Sequence, residues 1–352
     1  MPLSATDAMG PAFEHTKTQL FRPFRLAQWT KLALVGLFAG EMGTGGGGGP
    51  NLNIPTSGKH SQHNFPGLPH IDPALLVTLV IVLAVVIPVL WLLFLYINSR
   101  MRFVLFDSVV TKHCSIRQMW RSRGGPALRY FGWQVAFTLL AFAGMIVLVG
   151  IPALLAFLAG WFSPPGQHIG RLILAGLFVF FLFIVYVAAI ACVHVFTKDF
   201  VVPQMAIEDI SAIEGWRRLL PMLRSEKGGY AAYAGMKIVL ALGAALAVTM
   251  AAVMLFLVLL IPIGGLGLIS VLLAKSAGIA FSWNVLTITA LVVAGCVVLF
   301  LIFYAVSLIS VPVIVFFPAY SIYFFASRYH RLADLIYPAP PPAPLTPAPE
   351  PA

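Results

Sequence analysis

Charged side chains are scarce in this sequence: Asp, Glu, Lys and Arg make up 10% of its 352 residues, whereas hydrophobic residues make up 60%. Soluble domains carry about 25% charged residues, so a chain of this composition could not cover a surface exposed to water. Its apolar residues come in long runs, which match the hydrocarbon core of a bilayer. Because backbone polar groups in lipid must be satisfied internally, we expect an all-α integral membrane protein.

Cysteines and catalytic residue sets are also few. Cys114, Cys192 and Cys296 lie far apart without C-x-x-C spacing, which indicates neither a disulfide framework nor a zinc site. No Ser/His/Asp arrangement or pair of carboxylates can be placed on one surface. The run GTGGGGGP lacks the Gly-Lys-Ser/Thr ending of a phosphate-binding loop. We therefore expect a protein that is not an enzyme and that uses no cofactor.

Histidines offer one candidate metal site. His60, His63 and His70 fall in the Gly/Pro/Asn-rich segment 43–72, and an H-x-x-H pair with a third His could bind a transition metal. Since no Cys and no helical frame supports them, an ordinary polar loop is the favoured interpretation. We expect no metal site.

Acidic residues are outnumbered, 12 against 22 Lys and Arg, which gives a net charge of +10. A soluble protein so basic would suggest a nucleic-acid partner, but Lys and Arg also collect in the cytoplasmic loops of membrane proteins. With six spans and both termini inside, the outer loops hold only Lys59, Arg171 and Lys275, and the other nineteen of the 22 lie inside. Topology therefore explains the charge, and no nucleic-acid partner is expected.

Five apolar runs are each long enough to span a membrane. They cover roughly 73–98, 131–160, 172–195, 231–261 and 285–311. A sixth segment, about 26–42, has a short apolar core and spans only if Lys31 reaches back to the headgroups. The charge distribution favours this sixth span.

A short motif repeats along the chain. SIRQMWR (115–121) matches SAIEGWR (211–217), and TKTQLFR (16–22) fits the same frame. The hydroxyl at its first position and the Gln or Glu at its fourth predict a capping box at a helix start. The aromatic residue then falls on the apolar helix face. Two further segments also match, RFVL (102–105) and DFVV (199–202).

The repeat predicts a single membrane domain over residues 1–337. It would contain three tandem parallel hairpin units, each preceded by a cytoplasmic interfacial amphipathic helix. The units cover about 14–98, 113–197 and 209–312, a C-terminal interfacial segment covers 313–337, and a disordered Pro-rich tail covers 338–352. Parallel repeats occur in some transporters.

The segments RFVLFDSVV, WRSRGGPALRYF and DFVVPQMAIEDISAIEGWRRLLPML resemble a group of uncharacterised bacterial membrane proteins. These proteins are described as similar to the membrane domain of glycerophosphodiester phosphodiesterase. The resemblance implies a helical domain without assigned activity in the bacterial cytoplasmic (inner) membrane. The phosphodiesterase chemistry belongs to a separate soluble barrel, and no inner loop here is long enough to hold one.

Candidate site residues fall into two groups. Polar residues near the membrane are Lys31, Gln134 and Lys237. Each lysine is interpreted as a snorkelling anchor, with a substrate or proton site as the alternative for Lys237. Gln134 is expected to hydrogen-bond between helices. Candidate headgroup contacts on the inner face are Trp120, Arg121, Arg123, Trp216, Arg217 and Arg218.

Three functions remain open from the sequence. The favoured one is a non-enzymatic inner-membrane scaffold or lipid-interacting protein whose partners are anionic lipid headgroups on the inner face. A transporter or channel for a weakly charged or amphiphilic solute is the alternative, motivated by the parallel repeats and the prolines within spans. A membrane enzyme acting on lipids has no residue constellation in its favour.

Overall fold

The described part of the chain, residues 2–41, 73–161, 169–276 and 285–337, is helical in this computed structural model and contains no β-strand. The helices in chain order are α1 (Met9–Phe21), α2 (Leu26–Phe38), α3 (Pro73–Val110), α4 (Ile116–Ser122), α5 (Gly124–Leu158), α6 (Ile169–Phe196), α7 (Val202–Glu208), α8 (Ala212–Ser225), α9 (Lys227–Ser276), α10 (Val285–Ala326) and α11 (His330–Ile336). A π-helical turn, Thr197–Val201, joins α6 to α7. The all-α prediction is confirmed for these residues.

Five helices are long and apolar enough to cross a membrane: Val77–Val110, Gly124–Leu158, Ile169–Glu208, Lys227–Pro262 and Ile288–Ala326. In the most apolar 18-residue stretch of each, only 0–6% of the residues are buried within the protein. Apolar side chains so exposed are compatible with a lipid surrounding and not with water. The protein is therefore a multi-pass membrane protein, as predicted.

Buried residues collect at one end of the long helices and form one continuous core. We call this region the head. It comprises α1, α2, α4, α7, α8, α11, the π-helical turn and the adjoining helix ends at 98–110, 124–134, 227–237 and 307–326. The remaining apolar parts, 77–97, 135–158, 169–196, 238–276 and 285–306, are called the arms.

Aromatic rings fill the centre of the head. Phe200 from the π-helical turn lies 5.3 Å from Tyr230 and 5.1 Å from Tyr233, between ring centroids. Tyr233 also lies 4.5 Å from Phe324 and stacks on Tyr320 at 5.1 Å. Aromatic pairs at such distances contribute about 0.5–1.5 kcal/mol beyond their burial. They join the ends of α9 and α10 to the π-helical turn.

Helix α2 lies beside the head end of α3. The Gln28 side chain donates to the Lys112 carbonyl at 2.9 Å, and the Asn98 side chain donates to the Phe38 carbonyl at 2.8 Å. The helix thus runs antiparallel to residues 98–112 and not beside the α3 arm. Its 13 residues rise about 20 Å, less than the roughly 30 Å hydrocarbon core. The predicted sixth span is not confirmed.

The capping boxes of the repeat differ among the three copies. Ser211 caps α8 by accepting from the Glu214 backbone amide at 3.3 Å, as expected. Ser115 stands at the N-cap of α4 but makes no side-chain cap bond. The prediction for Thr16 is wrong, because Thr16 lies inside α1 and its hydroxyl donates to the Ala12 carbonyl. Only the third copy forms half of the box.

The C-terminal part differs from the predicted interfacial segment 313–337. Residues up to Ala326 continue α10, and Val315, Tyr320 and Phe325 are fully buried in the head. Long buried aromatic and branched side chains pull this stretch into the core. The predicted outer segment 43–72 with its histidines, and the Pro-rich tail 338–352, lie outside the described residues. The grouping into three hairpin units stays a prediction.

Candidate functional site

Five charged side chains are buried together in the head. They are Glu41, Arg102, Lys198, Asp199 and Lys237, and each is only 2–6% exposed. Burying a charge is costly unless it is paired and hydrogen-bonded. This cluster is therefore the most unusual chemical feature of the described chain.

The cluster contains two groups of partners. Lys198 Nζ lies 2.5 Å from the Glu41 carboxylate, and Arg102 Nη1 lies 3.7 Å from Glu41 Oε1. Lys237 Nζ bonds Asp199 Oδ2, which also accepts from the Tyr233 hydroxyl at 2.9 Å. Since Lys198 and Asp199 are neighbours in sequence, the two groups form one continuous network across four helical segments.

The local backbone conformation directs the charged side chains of the cluster into the head. Gly40 has φ +75°, a left-handed conformation that costs glycine little, and it turns the chain after α2 so that Glu41 enters the head. The π-helical turn holds Thr197, Lys198 and Asp199 buried side by side. A π-helical turn widens the helix by one residue and often occurs at functional sites. It lets two consecutive charged residues both face the core.

Gln134 takes part in a second, neutral network. Its amide oxygen accepts from the Ser99 hydroxyl at 2.5 Å, and its nitrogen donates to Asn98 Oδ1 at 3.3 Å and to the Tyr130 hydroxyl at 3.4 Å. Ser99 and Asn98 belong to α3, so the predicted interhelical hydrogen bond of Gln134 is confirmed. It fixes α5 against α3 where the head begins.

The two lysines predicted as snorkelling anchors have different environments. Lys31 is exposed on α2, compatible with such an anchor. For Lys237 the interpretation is wrong, because its side chain is 4% exposed and pairs with Asp199. An ammonium group pairs inward when a buried carboxylate is closer than the headgroup layer.

Sequence reasoning missed Glu41, Arg102, Lys198 and Asp199 as buried charges. Arg102, Lys198 and Asp199 fell in segments interpreted as inner loops, where charges are ordinarily solvated, and Glu41 fell at the outer end of the predicted sixth span. The available signal was the match between RFVL and DFVV, since Arg102 and Asp199 are the first residues of those two segments. Each is followed by three buried apolar residues, a pattern unlike a solvated loop.

A basic groove lies between α2 and α4. It has an open volume of about 870 Å³ and is lined by Lys31, Ser115, Ile116, Arg117, Gln118, Arg121 and Ser122. Lys31, Arg117 and Arg121 are exposed, and no carboxylate of the described residues lines the groove. None of the three forms an ion pair with another residue in the described ranges. The groove thus presents three cations and the Ser115 hydroxyl to an anion, because the Ser122 hydroxyl donates to the Met119 carbonyl.

The predicted headgroup residues near α4 divide between this groove and the head. Arg121 lines the groove. The partly buried Trp120 is held by Arg100, which donates to its carbonyl at 2.8 Å and lies over its ring. Arg123 turns inward to a bidentate pair with Asp107 at 2.8 and 3.0 Å. Of these three, only Arg121 is free to meet a headgroup.

The predicted headgroup residues of α8 are mostly engaged with the protein. Trp216 Nε1 donates to Thr197 Oγ1 at 3.0 Å, which fixes α8 to the π-helical turn. Arg218 pairs with Glu208 at 2.5 Å and Glu214 at 3.2 Å, and these bonds raise the pKa of its guanidinium. Arg217 is 80% exposed. The structure leaves the predicted lipid contacts of these residues as predictions.

A largely buried arginine, Arg328, joins the start of the chain to the residue before α9. Arg328 lies 2.6 Å from Glu226 and donates to the Leu3 carbonyl at 3.0 Å. The hydrogen bonds from Arg328 lower the pKa of the Glu226 carboxyl. Among the described residues no group of three His, Cys, Asp or Glu side chains is arranged to hold a metal ion.

Comparison with protein families matches residues 3–335 to a family of unknown function, DUF7544. Because the match covers nearly the whole chain, this protein belongs to that family. Comparison with curated proteins found no match, and comparison with solved structures found none either. The family assigns no activity, and the resemblance to the phosphodiesterase membrane domain stays a prediction.

Proposed function

We propose that this member of a family of unknown function is a non-enzymatic protein of the bacterial cytoplasmic membrane that binds anionic lipid on its inner face. The observation that carries the proposal is the basic groove. A phosphate group there would meet Lys31, Arg117 and Arg121 without a competing carboxylate. Each basic residue near an anionic surface contributes about 1 kcal/mol.

The surroundings of the groove fit a lipid better than a soluble anion. Leu34 follows Lys31 by one helical turn on α2 and is 44% exposed. Headgroup and acyl chain could thus be held along one helix face. Nucleic acid fits less well, because the corresponding basic residues on α8 are partly neutralised by Glu208 and Glu214.

The position of the groove in the head also agrees with the expected orientation of the protein in the membrane. The head carries most of the exposed basic residues, and such residues favour the cytoplasmic side of a membrane. Both termini of the described chain end in the head, at Leu3 and near Arg328. We therefore place the head and the groove on the inner side. That both termini lie there stays a prediction, because the five long helices alone would put them on opposite sides.

Lipid retention by the purified protein tests the proposal. The protein would be reconstituted in nanodiscs of equal phosphatidylglycerol and phosphatidylcholine, extracted into mild detergent, and weighed with its bound lipid by native mass spectrometry. The variant Lys31→Gln/Arg117→Gln/Arg121→Gln should lose its preference for phosphatidylglycerol. Three contacts of about 1 kcal/mol each predict a loss of up to roughly 100-fold.

A matched variant distinguishes the effect of the groove residues on lipid binding from the effect of the protein's net charge. Arg22→Gln/Arg224→Gln/Lys227→Gln removes three charges from exposed positions outside the groove and should keep the preference within about twofold. Equal losses in both triple variants would show that only overall charge matters. No preference in the unaltered protein would contradict the proposal directly.

Transport of a solute is the second candidate, favoured by the buried charged cluster. Among the described residues, however, the arms contain two Lys, Arg, Asp or Glu residues. These are Arg171 and Lys275, and each lies near the end of its arm that is far from the head. A single copy therefore has no charged path continuing from the head. Solute flux into liposomes that disappears in Lys237→Ala, with the fold retained, would favour transport over lipid binding.

A further inference from the structure

The buried charges of the head do not balance. Arg102, Lys198 and Lys237 carry three positive charges, and Glu41 and Asp199 carry two negative ones. The other described carboxylates with side chains at most 12% exposed, Asp107 and Glu208, pair with Arg123 and Arg218. Among the described residues, one positive charge in the cluster is thus without a counter-charge. An uncompensated buried ion costs several kcal/mol.

Arg102 is the cation with unused hydrogen-bond donors. Its Nη2 donates to the Ala39 carbonyl at 2.7 Å. Its Nε and Nη1 are buried and donate no hydrogen bond to any described residue, since Glu41 Oε1 is 3.7 Å from Nη1. A guanidinium keeps its charge and all five donors at every ordinary pH. Nε carries one N–H and Nη1 carries two, and these groups have no acceptor among the described residues.

A small cavity adjoins these donors. It is lined by Glu41, Arg102, Leu105, Phe106, Lys198, Asp199, Val202, Pro203, Pro318, Ser321 and Ile322. It has a volume of about 30 Å³, and one water molecule needs roughly 10–15 Å³. The cavity is thus large enough for a water molecule or a monatomic ion.

We propose that this cavity binds one small monovalent inorganic anion of chloride size, held by Arg102 and Lys198. The anion would accept from Nε or from Nη1 of Arg102, whose N–H groups point to different sides of the guanidinium, and would bring the cluster to neutrality. The two carboxylates in the wall do not prevent this, because each already has its own lysine partner. The site lies inside the head and is separate from the lipid groove between α2 and α4, so either proposal can fail alone.

Thermal unfolding of the purified protein in a non-ionic detergent provides the first test. Chloride and gluconate buffers of equal ionic strength would be compared, because gluconate is too large for the cavity. Chloride should raise Tm saturably, by on the order of 5 °C at high occupancy. Equal Tm values in both salts would contradict the proposal. That result would mean that water fills the cavity or that one lysine of the cluster is neutral.

Variants assign the effect to the cavity. Arg102→Gln removes both the excess charge and the free donors, and should abolish the difference in Tm between chloride and gluconate. Arg123→Gln is the matched control, because Arg123 is paired with Asp107 outside the cavity, and it should keep that difference. A chloride effect that persists in Arg102→Gln would overturn the assignment.

A measurement on the unaltered protein avoids dependence on a variant that fails to fold. Crystals grown in bromide should show one anomalous peak within hydrogen-bond distance of Arg102 Nε or Nη1. Density for water alone at that position, with bromide only on the surface, would refute the site.

Discussion

The head and the arms use the same kinds of apolar residue in opposite ways. In the head, Phe200 and Phe324 are fully buried against each other, and Tyr320 is fully buried against Tyr233. In the arms, Leu140, Phe181 and Leu246 are 62–71% exposed. Hydrophobic content alone therefore does not determine burial here. Polar and aromatic partners decide it, and in the described part of the chain they are concentrated at one end of each long helix.

The difference shows where the fold is specified. Without a hydrophobic driving force between helices in lipid, association depends on packing and interhelical hydrogen bonds. The head has both, including the Gln134 network and the buried charges. The arms contribute length and an apolar surface, with isolated contacts such as the Tyr186 hydroxyl, which donates to the Ala141 carbonyl at 2.7 Å.

Truncating one phenylalanine in each region should give the largest contrast. Phe200→Ala opens a cavity in the packed head and should destabilise the protein by about 3–5 kcal/mol. Phe181, which is 62% exposed on α6, leaves no such cavity, so Phe181→Ala should cost less than about 1 kcal/mol. Unfolding of both variants in mixed micelles with increasing SDS measures the difference. Similar costs would mean that the arms are packed as tightly as the head.

Glycine-to-alanine substitutions test the packing of the head and of the arms with a single added methyl group. A Cβ at Gly36 would come within 2.6 Å of the buried Ile314 side chain, whereas one at Gly243 in the α9 arm meets nothing within 4 Å. Gly36→Ala should therefore destabilise by about 1–3 kcal/mol through overpacking. Gly243→Ala should stabilise by up to about 1 kcal/mol through helix propensity.

The sign of the change is the result to measure in this pair, in the same SDS titration. Opposite signs would confirm that α2 is seated against α10 in the head. Two stabilising substitutions would show that α2 is loosely attached, and they would reopen its interpretation as a sixth span.

The arms could be predicted from sequence and most of the head could not. Hydropathy runs locate the five long helices because span length depends on local composition. The partner of a buried charge is not local: Arg102 and Lys198 meet Glu41, which follows a different helix. The neighbouring sequence does not distinguish a basic residue in a solvated loop from one that is buried against a distant carboxylate. The Ser211 cap and the Gln134 bond were predictable because a motif or a span end marked them.

Acidification should lower the stability of the head and leave that of the arms unchanged. Of the three predicted effects on stability, this one should be the smallest. His15 on α1 joins the head through two bonds: its Nε2 lies 2.9 Å from the Val109 carbonyl and its Nδ1 lies 3.1 Å from the Tyr323 hydroxyl. A carbonyl only accepts, so Nε2 carries the proton and Nδ1 accepts from Tyr323 in the neutral ring. Desolvation by burial lowers the pKa of His15 below its usual 6.5.

The direction of the pH effect follows from that shift. Because the unfolded chain binds the proton more readily than the folded one, His15 contributes stability above pH 6.5 that is lost as the pH falls through its lowered pKa. Tm should therefore fall between pH 7.5 and pH 5 by more in the unaltered protein than in His15→Gln, which retains one donor and one acceptor. Hydrogen exchange should locate the loss in α1 and the end of α10. An equal pH dependence in both proteins, or faster exchange in the arms, would show that the acid sensitivity arises elsewhere.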